Sequence, residues 1–214
     1  MIRALILDLD NCLAAANEVG DELFAPAFDA ISRANDGSHS AESLKLAFAD
    51  MWRHPLDWVA AKHGLSDGML EAGRRVFCTL EVTRPMHGYG DLAILSELQV
   101  QRFLVTSGFR RLQESKIRAL KLGPHFTAIH VDAIDEQDRL GKHGVFRKIL
   151  REHRLSPSEV LVVGDSADSE IEAGNRLGMT TVQTLRPGVP PTSAATLHIH
   201  SLADLKALLT ATNS

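Results

Sequence analysis

Residues 4–13, with the sequence ALILDLDNCL, decide the fold. The apolar run from Ala4 to Leu7 is followed directly by Asp8-Leu9-Asp10. A short apolar run that ends in polar residues is typical of a strand with both faces buried in a parallel sheet. Ligands of open α/β sheets bind at the carboxyl ends of the strands. We therefore expect Asp8 and Asp10 to lie at the ligand-binding edge of such a sheet.

The rest of the chain alternates between strand and helix patterns from about residue 90 onward. Further strands are predicted at residues 102–106, 127–131, 160–164, 180–183 and 197–200, and helices at 91–98, 110–122, 145–153, 169–177 and 202–210. Such alternation is the pattern of a parallel sheet covered by helices on both faces. The predicted fold class is therefore α/β, with a doubly wound parallel sheet.

The segment between the first and second strands has a different pattern. Its apolar residues recur at helical spacing, as in Leu44, Phe48 and Met51, and no part of it has a convincing strand pattern. We expect an all-helical insertion at residues 15–85. The α/β core would then be formed by residues 1–14 and 86–214.

Composition excludes several classes of protein. A length of 214 residues suits a core domain with one modest insertion. The net charge is −4 and no run of Lys and Arg exceeds two residues, which argues against nucleic-acid binding. Two aspartates interrupt the N-terminal apolar stretch, so it resembles neither a signal peptide nor a membrane span. The only cysteines, Cys12 and Cys78, cannot form a disulfide framework. We expect a cytoplasmic protein that does not bind membranes. We also expect it to exist as a monomer or a homodimer.

Polar residues at the other strand ends complete a candidate site. Thr106 and Ser107 follow the second strand, and Asp165 follows the strand at 160–164. Lys142 precedes the helix that leads to that strand. Crowded carboxylates repel one another unless a cation compensates them, and Mg²⁺ prefers carboxylate and phosphate oxygens as ligands. These residues indicate a Mg²⁺ site at which Asp8 attacks a phosphoryl group.

The same residues, in the same order, resemble the four motifs of the haloacid dehalogenase superfamily. The matching residues are Asp8-Leu9-Asp10-Asn11-Cys12-Leu13, Leu104-Val105-Thr106-Ser107-Gly108, Lys142, and Val163-Gly164-Asp165-Ser166 with Glu170-Ile171-Glu172-Ala173-Gly174. The resemblance covers the whole chain and includes a helical cap between the first and second motifs. The first motif of this chain and the placement of its cap are similar to those of phosphoglycolate phosphatases and pyrimidine 5′-nucleotidases.

The resemblance implies a Mg²⁺-dependent phosphatase that acts on a small phosphorylated metabolite. It gives Asp8 the role of catalytic nucleophile and Asp10 the role of catalytic general acid and then base. It implies phosphate binding by Thr106, Ser107 and Lys142. It also implies metal binding by Asp8, Asp10 and Asp165, with Glu170 as a candidate just outside the metal's direct ligands.

Three departures from the family pattern leave alternatives open. Cys12 stands where threonine is usual, at a position that packs rather than reacts. The residue after Lys142 is a histidine instead of the common proline, so Lys148 remains an alternative lysine. Glu170 occupies the usual place of a second aspartate, and Asp168 is the nearby alternative.

Other functions compete with the phosphatase interpretation. Dehalogenases of this superfamily typically lack the second aspartate, so the presence of Asp10 favours phosphoester cleavage. A receiver-type phosphoacceptor would have no helical insertion after its first strand. A non-catalytic protein that only binds a phosphorylated ligand would not need the Asp8 and Asp10 pair.

Several other patterns are weak. Cys78 and Arg84 have the spacing of cysteine phosphatases, but the intervening residues TLEVT are too bulky to wrap a phosphate, so we expect Cys78 to be a buried, unreactive thiol. The segment GYGDLA at 88–93 follows no strand, which removes the context of a dinucleotide fingerprint. His198 and His200 have no identifiable third metal ligand.

Substrate specificity is expected from the insertion, with these candidates: Asn17, Arg33, His54, Lys62 and Arg75.

Overall fold

Six parallel strands form one sheet in the order β3-β2-β1-β4-β5-β6. The computed structural model describes residues 1–213 of the chain. The strands are β1 (Ala4–Leu7), β2 (Gln101–Gly108), β3 (Ala128–Ala133), β4 (Val160–Gly164), β5 (Thr180–Thr184) and β6 (Leu197–Ile199). The predicted fold class is confirmed, since every strand pairing is parallel.

Strand β1 lies at the centre of the sheet and carries apolar side chains on both faces. It pairs with β2 on one side, where Ile6 faces Phe103, and with β4 on the other, where Ile6 faces Val162. Ile6 packs into the apolar cluster on one face of the sheet, and Leu5 and Leu7 pack into the cluster on the other. Each fully buried side chain of this size contributes about 1.5–3 kcal/mol to folding. This packing fixes the carboxyl end of β1, where Asp8 begins.

Helices cover both faces of the sheet. The helices are α1 (Asp21–Arg33), α2 (Ala41–Asp50), α3 (Leu56–His63), α4 (Asp67–Phe77), α5 (Arg110–Ala119), α6 (Gly141–His153), α7 (Glu172–Arg176) and α8 (Leu202–Asn213). Helices α5 and α8 contribute to the apolar cluster of Leu5, and α6 and α7 to that of Ile6. None of the described helices is both long enough and apolar enough to cross a membrane.

The regular elements between β1 and β2 in the described chain are all helical: short 3₁₀ helices at Ala16–Val19 and Leu92–Glu97, and α1 to α4. Helices α1 and α4 approach closely because Gly73 has no side chain. A Cβ atom at Gly73 would lie 2.9 Å from Cδ1 of Ile31 and 3.2 Å from Cδ2 of Leu56. We call residues 15–85 the helical insertion.

Three details differ from the sequence-based expectations. The predicted helix at 91–98 is a 3₁₀ helix at Leu92–Glu97, confined between Gly90, which has φ +82°, and strand β2. The predicted helix at 169–177 begins with a wide π turn at Ala167–Ile171 before α7. The expectation of a buried Cys78 is wrong, because this residue caps the exposed end of α4, one position after the buried Phe77.

The contact at Gly73 gives a test of the packing in the helical insertion. Gly73→Val should lower the free energy of unfolding by about 1–3 kcal/mol, because its added atoms overlap Ile31. Denaturant unfolding measures the change. Gly68→Ala is the matched control in the same helix, since its nearest neighbour would be 3.9 Å away. That control should be neutral or stabilising, and equal losses in both variants would contradict the packing described here.

Candidate active site

The chain turns sharply after β1 and leaves Asp8 at the end of the strand. The backbone N–H of Asp8 still donates to the carbonyl of Val163 in β4, at 2.9 Å. Asn11 then adopts a left-handed conformation with φ +55°, which asparagine tolerates better than most residues. Its side chain donates to the Trp52 carbonyl and accepts from the Ala16 N–H. The turn after β1 is therefore bound directly to the helical insertion.

Lys142 lies between two buried carboxylates. Its Nζ atom is 2.8 Å from Oδ1 of Asp8 and 2.7 Å from Oε2 of Glu170. All three side chains are less than 10% exposed. Lys148 does not line the cavity described below, so the geometry favours Lys142 of the two alternative lysines.

Asp165 and Glu170 join Asp8 in one acidic cluster. A carboxylate oxygen from each of these residues lies within 4.8 Å of the others. The π turn at Ala167–Ile171 brings the Glu170 side chain inward, where its Oε1 accepts from the Ser166 N–H at 2.6 Å. Asp168 lies exposed on the same turn. Of the two alternative acids, Glu170 is therefore the one that the fold directs toward Lys142, and π turns are frequent at functional sites.

Burial makes these carboxylates hard to ionise together. Desolvation raises the pKa of Asp8 to about 7, against the opposing charge of Lys142, and Glu170 adds to the increase. Desolvation also raises the pKa of Asp165 to about 8, with Glu170 and Asp8 as further causes. The acids raise the pKa of the Lys142 ammonium despite its burial. The cluster therefore has a deficit of positive charge, which an added cation would supply.

Asp10 also lines the cavity described below, but it forms hydrogen bonds with residues outside the acidic cluster. Both of its carboxylate oxygens accept from Nζ of Lys116, at 2.8 and 2.9 Å. Oδ2 also accepts from Nε2 of Gln113 at 2.9 Å, and the same Nε2 donates to Oγ1 of Thr106 at 2.6 Å. The side chain of Asp10 is 23% exposed, more than twice the exposure of Asp8. The two acids that follow strand β1 therefore have different environments.

Ser107 has a partner outside the acidic cluster. Its hydroxyl donates to Oδ2 of Asp132 at 3.1 Å. Asp132 also accepts from Nε of Arg139 at 2.8 Å and from the N–H of Gly141, the residue before Lys142, at 2.8 Å. Asp132 thereby fixes the start of α6 and, with it, the position of Lys142.

The acidic cluster opens into a cavity of about 380 Å³ between the sheet edge and the helical insertion. Arg53 enters from the insertion, with Nη2 3.5 Å from Oδ2 of Asp165 and Nη1 2.8 Å from the Gly188 carbonyl. The apolar wall of the cavity includes two stacked aromatic pairs, Phe24 with Trp52 and Phe77 with Phe109.

Only one of the five specificity candidates lines this cavity. That residue is His54, whose ring stacks on Trp58 with centroids 3.7 Å apart. The others lie on exposed faces of the insertion: Asn17, Arg33, Lys62 and Arg75. Cys78 and Arg84 are also absent from the cavity lining.

Sequence reasoning missed four residues of the site: Arg53, Gln113, Lys116 and Arg139. A signal existed for two of them. Gln113 and Lys116 are three positions apart and interrupt the buried face of α5 between Leu112 and Ile117, and buried lysines are rare unless they are paired. Arg53 and Arg139 lie in loops, where no periodic pattern marks them.

The doubly wound sheet has its acidic cluster at the carboxyl ends of the strands, where α/β proteins bind their ligands. The profile of the haloacid dehalogenase-like hydrolases matches residues 2–178. The chain belongs to this family and is an enzyme of its hydrolase class. No protein of curated function matches the sequence significantly.

Solved structures of the same family share the fold along nearly the whole chain. YfnB, a HAD-hydrolase from Bacillus subtilis solved with bound magnesium, is 20% identical with a TM-score of 0.65, covering 97% of this chain and 98% of its own. A HAD phosphatase from Thermococcus onnurineus is 20% identical, with a TM-score of 0.64 and the same coverage. The L-2-haloacid dehalogenase from Xanthobacter autotrophicus is 14% identical, with a TM-score of 0.60, covering 98% and 99%. At such identities the likeness shows the fold alone.

The raised pKa values predict how the stability of the metal-free protein depends on pH. Between about pH 4 and pH 8 the folded state keeps protons on Asp8 and Asp165 that the unfolded chain has released. The stability contribution of these groups is therefore full below about pH 4 and is lost progressively as the pH rises to the folded-state pKa values of about 7 and 8.

Asp165→Asn removes one of these groups, while Asp8 still titrates in the variant. In urea unfolding with excess chelator, the wild type should lose more stability than Asp165→Asn between pH 5 and pH 8, with a difference in slope of up to about 1.4 kcal/mol per pH unit. Parallel pH profiles for the two proteins would contradict the assigned environment of Asp165.

Proposed function

We propose that the protein is a Mg²⁺-dependent phosphomonoesterase that hydrolyses a small phosphorylated metabolite through an aspartyl-phosphate. The observation that carries the proposal is the placement of a second carboxylate, Asp10, beside the buried carboxylate of Asp8 at the same cavity. Phosphoester cleavage needs a nucleophile and a separate proton donor for the leaving alkoxide. Carbon–halogen cleavage releases a halide, which needs no proton.

The acidic cluster suits a divalent cation. Asp8 and Asp165 offer carboxylate oxygens, and the carbonyl of Asp10 is the third protein ligand in this proposal. Glu170 is held by Lys142 and by the Ser166 N–H, so we place it just outside the direct ligands. When bound, Mg²⁺ supplies positive charge that lets an anionic phosphate approach the ionised Asp8.

The reaction proceeds in two displacements at phosphorus. The Asp8 carboxylate attacks, the bond to the leaving-group oxygen breaks, and Asp10 protonates that oxygen. Asp10 then takes a proton from the water that attacks the phosphorus atom and releases Asp8. Thr106 and Lys142 hold the equatorial oxygens in both steps. Ser107 serves the same phosphate through its backbone N–H, since its hydroxyl is bound to Asp132.

In this proposal the helical insertion, residues 15–85, acts as a cap. Cap and core are joined across the cavity by Arg53 with Asp165 and by Asp57 with Arg139. Aromatic side chains fill the cap side of the cavity and keep water from the reacting groups. His54, with Arg53, is the part of the cap that reaches the substrate. We also place the protein in the cytoplasm, a location compatible with its two unpaired cysteines.

Asp8 and Asp10 follow strand β1, and replacing each with its amide should cause a different catalytic defect. Asp8→Asn removes the attacking carboxylate, so no phosphoprotein should form with any ester. Asp10→Asn keeps the nucleophile, and an aryl phosphate needs little protonation of its leaving group. Rapid mixing of Asp10→Asn with 4-nitrophenyl phosphate should give a burst of one phenolate per site, followed by turnover about 10²–10⁴-fold slower than in the wild type.

Mass spectrometry of the quenched protein identifies the phosphorylated residue. Phosphate on Asp8 in the Asp10→Asn variant, and none in Asp8→Asn, is the expected result. A burst in Asp8→Asn, or phosphate on another residue, would overturn the assignment of nucleophile and acid. Release of halide from 2-haloacids, with no hydrolysis of any phosphate ester, would favour the dehalogenase alternative.

Metal dependence is tested separately. Turnover of an aryl phosphate should vanish in excess chelator and return with Mg²⁺, and Asp165→Ala should raise the Mg²⁺ concentration for half-maximal activity by about tenfold or more. Asp29→Ala is the matched control, because Asp29 is exposed on α1 and does not line the cavity. Undiminished turnover in chelator, or an unchanged Mg²⁺ titration for Asp165→Ala, would contradict the proposed metal site.

A further inference from the structure

Lys116 is a buried cation on the core helix α5, and only 4% of its side chain is exposed. Within the described chain, Asp10 is the only carboxylate that pairs with it. A buried ammonium destabilises a protein strongly unless it is paired and hydrogen-bonded. The buried ammonium of Lys116 therefore lies where it can pair with the carboxylate of Asp10.

Gln113 adds a second constraint on the same carboxylate. It lies one turn before Lys116 on α5, is 2% exposed, and donates to Oδ2 of Asp10. Its Nε2 also lies 3.3 Å from the Ser107 carbonyl. Gly108 leaves room for this side chain, because a Cβ there would lie 3.0 Å from Cγ of Gln113. The end of β2 and helix α5 are thus built around the amide of Gln113.

The two carboxylate oxygens of Asp10 accept different numbers of hydrogen bonds. Oδ2 accepts from both Lys116 and Gln113, whereas Oδ1 accepts from Lys116 alone. Oδ1 therefore keeps a lone pair directed away from the protein donors. Because a carboxyl group held by three hydrogen bonds cannot rotate freely, the orientation of that lone pair is fixed before substrate binds.

We propose that Lys116 and Gln113 are positioning residues for proton transfer by Asp10, and that Oδ1 is the oxygen that carries the proton. The proton moves from Oδ1 to the leaving-group oxygen in the first displacement, and from water to Oδ1 in the second. Lys116 stays bound to Oδ2 throughout and does not touch the substrate. The inference rests on the proposed phosphatase function, since it assigns a role within that reaction.

Lys116→Met removes the charge and keeps the length of the side chain. With an alkyl phosphate, kcat should fall about 10- to 100-fold with KM within about twofold, because proton transfer is lost and substrate binding is not. With 4-nitrophenyl phosphate the variant should retain the phenolate burst and lose rate only in the following turnover. Lys116→Arg should recover part of kcat. Lys148→Met, on α6 and outside the cavity, is the matched control and should match the wild type.

A structural role alone would change both substrates equally, and thermal unfolding of each variant shows how much protein is folded. Gln113→Met should give a smaller effect of the same pattern and serves as the second variant if Lys116→Met does not fold. A kcat within twofold of the wild type for both variants, or a lost burst with a raised KM, would overturn the positioning role.

A crystal structure of Lys116→Met tests the inference without turnover. Asp10 should occupy a different rotamer or two conformers in the variant, whereas an unchanged single rotamer would overturn the proposal even if the enzyme were inactive. Absence of hydrolysis by the wild type for every phosphate ester would instead reject the proposed function. The two failures are therefore distinguishable.

Discussion

The ammonium of Lys142, buried between the carboxylates of Asp8 and Glu170, is the interaction on which the site depends. Removing Lys142 would leave carboxylates uncompensated in a region that water barely reaches, and breaking a buried ion pair in this way typically costs about 3–5 kcal/mol. The surrounding fold serves to keep this arrangement fixed. Strand β1 supplies Asp8, the start of α6 supplies Lys142, and the π turn after β4 supplies Glu170. Asp132 anchors α6 through the Gly141 N–H.

One cation does not balance the cluster, because Asp165 adds a third carboxylate. The raised pKa values of Asp8 and Asp165 express this deficit of positive charge. Arg53 of the helical insertion approaches Asp165 from the opposite side of the cavity. The contact joins the acidic cluster of the core to the insertion.

The strands, the helices and their parallel arrangement could be predicted from local sequence patterns. The apolar run of β1 with Asp8 and Asp10 at its end determined the centre of the sheet, and the alternation after residue 90 determined the parallel topology. The position of Lys142 also followed from motif order. The fold predictions succeeded because strands and helices are encoded by short-range sequence patterns.

Other features depend on contacts between distant segments, which a single sequence does not display. Lys116 and Asp10 are 106 positions apart, and Arg53 and Asp165 are 112 apart. The exposure of Cys78 was mispredicted because the orientation of the last turn of α4 depends on how that helix packs against α1. Gln113 and Lys116 could have been found from the two polar positions on the buried face of α5.

A crystal structure of the protein with Mg²⁺ and beryllium fluoride tests the central claim most directly, because beryllium fluoride mimics a phosphoryl group on a carboxylate. We predict that beryllium binds a carboxylate oxygen of Asp8, that Mg²⁺ contacts Asp8 and Asp165, and that Nζ of Lys142 contacts a fluorine atom. Beryllium fluoride bound to another residue, or Mg²⁺ bound away from Asp8 and Asp165, would contradict the proposed active site.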